Sequence, residues 1–110
     1  MENRLYKRVA CEIAASFRNI DGKNSNLEET TVRDISEGGV RFRSNTFTPI
    51  QDRLSMRLNT SKTRFIEAVV KPAWIRELPN VHQFDIGASF ILISKEDKAR
   101  LHDFLTIKIA

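Results

Sequence analysis

Six short segments with two-residue hydrophobic alternation, followed by one of helical period, predict an all-β fold with a C-terminal helix. The expected form is a six-stranded antiparallel β-barrel. Clusters of Gly, Pro, Asn, Asp and Ser separate the alternating segments at short intervals, as hairpin-connected strands require. The chain has 110 residues, 41% hydrophobic and 29% charged, which suits one compact domain rather than a disordered chain. The expected division is an irregular basic arm over 1–8, a barrel over 9–92 and a helix over 94–109.

The arm is polar and lacks periodicity. From Val9 the alternation begins: Val9, Cys11, Ile13, Ala15 and Phe17 share one face, and Glu12, Ser16 and Arg18 the other. Residues 21–26 form a turn by composition, and 30–35 a second strand. Ser36-Glu37-Gly38-Gly39 is the next turn. Val40 and Phe42 then alternate with Arg41 and Arg43, and Pro49 breaks the chain. In the fourth strand Leu54, Met56 and Leu58 alternate with Arg53, Ser55 and Arg57. The fifth covers 64–76, and Pro72 within it cannot donate a ladder hydrogen bond, so an edge position, bulge or bend is expected there. After the Pro79-Asn80 turn, Phe84, Ile86, Ala88, Phe90 and Leu92 oppose Asp85, Gly87 and Ser89. Ser94 is then a helix N-cap, with Glu96 and Asp97 in the first turn. Leu101, Phe104 and Leu105 form the apolar stripe that packs on the barrel or across one end.

The residues give no foothold for catalysis, and no enzyme is expected. His82, on a predicted strand, and His102, on the helix, are the only histidines. Cys11 is the only cysteine, which excludes an intrachain disulfide and suits a reducing compartment. It lies on an apolar face and reads as a small core residue. No spacing of His, Cys, Asp and Glu resembles a metal site, and no nucleophile stands beside a base. No Walker-type loop or dinucleotide fingerprint is present. Trp74 reads as core or barrel-mouth packing. The net charge is +4, and Arg supplies most of the basic residues. Arg grips planar anions by two parallel hydrogen bonds, so an anionic ligand suits this composition.

Two motifs remain. Arg4-Leu5-Tyr6-Lys7-Arg8 is an R-x-x-x-R in the arm, and Asp34-Ile35-Ser36-Glu37-Gly38-Gly39 is a D-x-S-x-x-G at the turn between the second and third strands. Alone, the first is no more than a basic terminus and the second no more than a hairpin turn. A second R-x-x-x-R, from Arg53 to Arg57, lies in a predicted strand and reads as a solvated strand face. In this order and on these elements, the two motifs resemble the signature of the PilZ domain family. The likeness covers essentially the whole chain, and Asp85-Ile86-Gly87-Ala88-Ser89-Phe90 is similar to the family's late D-x-G-x-x-F strand. The resemblance implies a barrel of the split-barrel type that binds the second messenger cyclic di-GMP. The implied ligand-binding residues are Arg4, Arg8, Asp34, Ser36, Gly38 and Gly39. Many members carry a further Arg before the first motif, where this chain has Asn3; one or two ligand molecules per site both stay open.

The chemistry of these residue types suits that ligand. Guanine offers N7 and O6 to one guanidinium at once. Guanidinium groups also stack on bases and pair with phosphates. A carboxylate at Asp34 accepts from guanine N1–H and N2–H₂, and the Ser36 hydroxyl can donate to phosphate. Gly39, with Gly38, removes side-chain bulk and permits positive φ. With no other cofactor, the expected role is a signalling adaptor whose arm orders on the ligand. Its partner would be a protein effector of flagellar, type IV pilus or exopolysaccharide machinery, and a homodimer is compatible. Two other readings stay open. One is a small barrel binding single-stranded nucleic acid through a stripe of Arg33, Arg41, Arg43, Arg53, Arg57 and Arg64. The other is a degenerate member that binds only protein. The preferred reading has no nucleic-acid polymer as partner and no membrane insertion. The N-terminal segment lacks the apolar stretch of a signal peptide, and a cytoplasmic location is expected.

Overall fold

The computed structural model describes residues 7–22 and 26–109. Six strands follow in chain order: β1 (Val9–Asn19), β2 (Glu28–Ile35), β3 (Gly39–Ser44), β4 (Leu54–Asn59), β5 (Phe65–Leu78) and β6 (Gln83–Ile93). A helix, α1 (Lys95–Ile109), ends the chain. Every pairing is antiparallel, and the ring β1-β2-β3-β6-β5-β4 is closed by β1 against β4. The expected six-stranded barrel with a C-terminal helix is the observed fold.

Alternation builds the interior. Ile13, Ala15 and Phe17 of β1 meet Val32 and Ile35 of β2, Val40 and Phe42 of β3, and Leu54, Met56 and Leu58 of β4. Phe17 and Phe42 pack ring to ring with centroids 5.0 Å apart. Burying one such aliphatic or aromatic side chain contributes about 1.5–3 kcal/mol. Cys11 sits at the margin of this core, and its thiol donates to the Val32 carbonyl at 3.5 Å.

Bulges account for the departures from simple alternation. The β5–β6 register shifts between Pro72 and Trp74, so the proline falls at a bulge, one of the expected outcomes. A second shift lies where Val69 pairs with Leu92 and Val70 with Phe90. It inverts the end of β6. Leu92, expected inside, is 68% exposed, and Ile93 packs against the core in its place. Trp74 departs from its expected place too. It pairs with Gly87 on the outer wall, and its indole lies over that glycine. His82, expected on a strand, falls in the β5–β6 turn, where it and Asn80 have φ of 51° and 67°.

One end of the barrel gathers most of the residues singled out from the sequence. The start of β1, the β2–β3 turn and the end of β6 lie together there, because Val9 pairs with Ile35 and Gly39 with Ser89. The helix leaves β6 at the same end. Ser94 caps it: its Oγ accepts from the Asp97 N–H at 3.0 Å, and its carbonyl from the Lys98 N–H at 2.8 Å. Leu101 and Leu105 join the core, and the Asp97 carboxylate accepts from the Glu67 N–H of β5 at 3.3 Å.

Candidate functional site

Strand register sets two rows of side chains on the outer wall near that end. Asp34 of β2 pairs with Ala10 of β1 and Arg41 of β3; Arg41 pairs with Gly87 of β6, and Gly87 with Trp74 of β5. In the adjoining row Asp85 pairs with Arg43 on one side and Arg76 on the other.

An ion-pair chain links the rows. Arg41 Nε donates to Asp34 Oδ2 at 2.6 Å, and Arg41 Nη1 to Asp85 Oδ2 at 3.3 Å. Arg76 Nη2 donates to the same Asp85 oxygen at 3.1 Å. Arg8 Nε stands 3.8 Å from Asp34 Oδ1. The Asp34 hydrogen bond, above all, raises the Arg41 pKa further, so this guanidinium stays charged. Asp85 is only 2% exposed, and its Oδ1 has no hydrogen-bond partner among the described residues.

The turn beside Asp34 is internally braced. Ser36 is buried; its Oγ accepts from the Gly38 N–H at 3.1 Å, and its N–H donates to the Gly39 carbonyl at 2.9 Å. The Gly38 carbonyl accepts from the Phe90 N–H at 2.9 Å, which ties the turn to β6. The glycines do not act through positive φ as expected: none of the described glycines has it. At Gly39 the constraint is close approach, since a Cβ would lie 2.1 Å from the Ala88 carbonyl oxygen. Glu37 points away to α1, with Oε1 2.8 Å from His102 Nδ1. Thus the helix is pinned to the turn.

Of the residues singled out from sequence, Arg8, Asp34, Ser36, Gly38 and Gly39 fall together at this end. Arg4 lies outside the described residues, as does most of the arm. Sequence reasoning missed the second row. The alternation sets Asp85 only opposite the apolar residues of its strand, and Arg41 stands only in the basic stripe, yet the two pair with each other. An Asp on the outer face of the most regular strand, among strands carrying outward Arg, was the available signal. Burial first, then the Asp34 charge, pushes the Cys11 thiol pKa up, which disfavours its thiolate.

The proposed basic stripe does not assemble. Strands β3 and β4 stand on opposite sides of the ring, which separates Arg41 and Arg43 from Arg57. Arg53 precedes β4 rather than lying in it, and its guanidinium is clamped by Asp21 at 2.8 Å. Arg57 lies over the Phe65 ring, 3.6 Å from the centroid. No group of His, Cys, Asp and Glu among the described residues is placed to hold a metal ion. No described helix is long and apolar enough to cross a membrane.

A family model described as the PilZ domain matches residues 2–106. Among solved structures, the chain is similar to the inhibitor of motility MotI/DgrA of Bacillus subtilis, with TM-score 0.78 and 15% identity over 99% of this chain and 53% of that one. It is similar to the PilZ domain of YcgR from Escherichia coli with c-di-GMP, with TM-score 0.73 and 14% identity over 98% and 92%. The MrkH–c-di-GMP complex of K. pneumonia gives TM-score 0.74 and 16% identity over 99% and 52%. The chain therefore spans about half the length of MotI and MrkH. No curated protein matches it by sequence.

Proposed function

The chain belongs to the PilZ domain family, and on that footing we propose that it binds cyclic di-GMP through Arg4, Arg8, Asp34, Ser36, Gly38 and Gly39 and serves as a signalling adaptor. The observation that carries this reading is the meeting of the two motifs: Arg8, from the first, stands 3.8 Å from Asp34, from the second. Neighbours of the same fold solved with c-di-GMP support the choice of ligand.

The chemistry follows from the donors and acceptors in place. Asp34 accepts from the guanine Watson–Crick edge, and an arginine takes N7 and O6 or a phosphate. Gly38 and Gly39 keep the turn low, so its backbone can approach the ligand. The Ser36 Oγ already accepts from the turn, which leaves its hydroxyl proton for a phosphate. Ligand on this end bears on Glu37 and, through His102, on α1. A protein partner that reads that surface would complete the adaptor; binding, not catalysis, is the whole of the chemistry.

Calorimetric titration tests the reading. Cyclic di-GMP should bind, and cyclic di-AMP should bind more weakly by about 1–3 kcal/mol, because adenine places a donor where guanine has O6. Equal affinities, or no heat with cyclic di-GMP, would reject it.

A further inference from the structure

Asp34 does not stand free. Its Oδ2 is held by Arg41 at 2.6 Å. A carboxylate that accepts from both guanine N1–H and N2–H₂ turns both oxygens to the base. Arg41 thus occupies one of the two lone-pair sites of an oxygen that the base also needs, so a guanine seated there shares that oxygen and loosens the hold of Arg41 on Asp34. Arg41 also has a second anchor, Asp85 Oδ2 at 3.3 Å.

We propose that Arg41 is a further ligand-binding residue, passing from Asp34 to a ligand phosphate, and that Asp85 is the positioning residue that holds it through the exchange. The inference rests on the cyclic di-GMP reading and adds to it a partner exchange and two residues outside both motifs. Guanidinium geometry permits it: Arg41 has five N–H donors in a rigid fork, so Nη1 can stay on Asp85 while Nε leaves Asp34. Asp85 is suited to the task because it cannot move with its partner. It is fixed in β6 between β3 and β5 and buried to 2% exposure. Arg76 shares its Oδ2, so a cation remains when Arg41 turns. Stability alone is a poor account of this carboxylate: burying it carries a desolvation cost, and here Oδ1 accepts nothing among the described residues. Charge favours the exchange as well. Arg8, Arg41 and Arg76 outnumber Asp34 and Asp85, and a ligand with two phosphates meets that excess.

The test is calorimetry with cyclic di-GMP on the unaltered protein, Arg41→Ala, Arg41→Lys, Asp85→Asn and the Arg41→Ala/Asp85→Asn double variant. Arg41→Ala should weaken binding roughly tenfold or more, the size of one lost charge-assisted hydrogen bond. Arg41→Lys should not restore it, since an ammonium cannot bridge Asp85 and a phosphate in one plane. Asp85→Asn should weaken binding in the unaltered background and do nothing further in Arg41→Ala. A merely structural Asp85 would give additive losses, which overturns its role. Unchanged or tighter binding by Arg41→Ala overturns the inference alone, while failure of the unaltered protein to bind overturns the ligand reading with it. Should Asp85→Asn not fold, Arg41→Lys decides: affinity equal to that of the unaltered protein overturns the proposal.

Discussion

Two glycines show how single atoms shape the wall of this barrel. A Cβ on Gly87 would lie 2.2 Å from Nε1 of Trp74, and one on Gly39 would lie 2.1 Å from the Ala88 carbonyl oxygen. The obstacles differ in kind. An indole can swing away at the cost of its packing, whereas a strand carbonyl moves only with its ladder. Gly39→Ala should therefore destabilise more than Gly87→Ala, with overpacking costs of about 1–3 kcal/mol setting the scale. Urea midpoints would rank the two, and Gly87→Ala alone should shift the emission of the single tryptophan toward that of solvated indole. The reverse order of midpoints would contradict this. At this scale the motif residues were legible, because Arg, Asp, Ser and Gly at fixed offsets keep their meaning in a linear text. Asp85 was not. Its burial is made by Arg41, Arg76 and the neighbouring strands, which come from distant parts of the chain, and alternation alone assigns it to solvent.

Elements are joined here by side chains at their ends. Asp21, past the end of β1, accepts from the backbone N–H of Arg53 at 2.7 Å and from its guanidinium at 2.8 Å, just before β4. The side-chain bond to Arg53 is the main reason that the Asp21 carboxyl titrates at about 2 rather than 3.8. A depressed carboxylate pKa contributes stability that is complete above the unfolded value. The clamp should thus be whole above pH 3.8 and released as pH falls through about 2. Carboxyl NMR would follow it, with Arg53→Ala returning Asp21 toward its ordinary value; a midpoint indifferent to Arg53 would disprove the clamp. Salt should weaken it, because the pair is exposed. Helix α1 was legible almost to the residue, since an N-cap serine and acidic first turn are local signals. The end of β6 was not: the bulge that turns Leu92 out and Ile93 in depends on which β5 residues stand opposite.

On the whole-molecule scale the barrel has two unlike ends. Six alternating segments predicted the ring, but nothing local tells which strand closes it. The β1–β4 pairing is a matter of global geometry, and with it goes the separation of the basic strands. One end carries the start of β1, the β2–β3 turn and α1; the other carries the β1–β2, β3–β4 and β5–β6 connections. A ligand at the first end should change the two unequally. Amides that exchange only through global unfolding gain protection everywhere by mass action, so they do not discriminate. Those that exchange by local opening report their own surroundings. On adding cyclic di-GMP, protection should rise at residues 34–39 and in α1 around His102, because Glu37 couples turn to helix. Residues 45–52, at the far end, should keep their exchange rates. Glu37→Ala should leave the response of the turn and abolish that of the helix. Were the helix to respond as strongly without Glu37, or the far loop to respond as the turn does, the Glu37–His102 bond would not be the link between ligand and output surface.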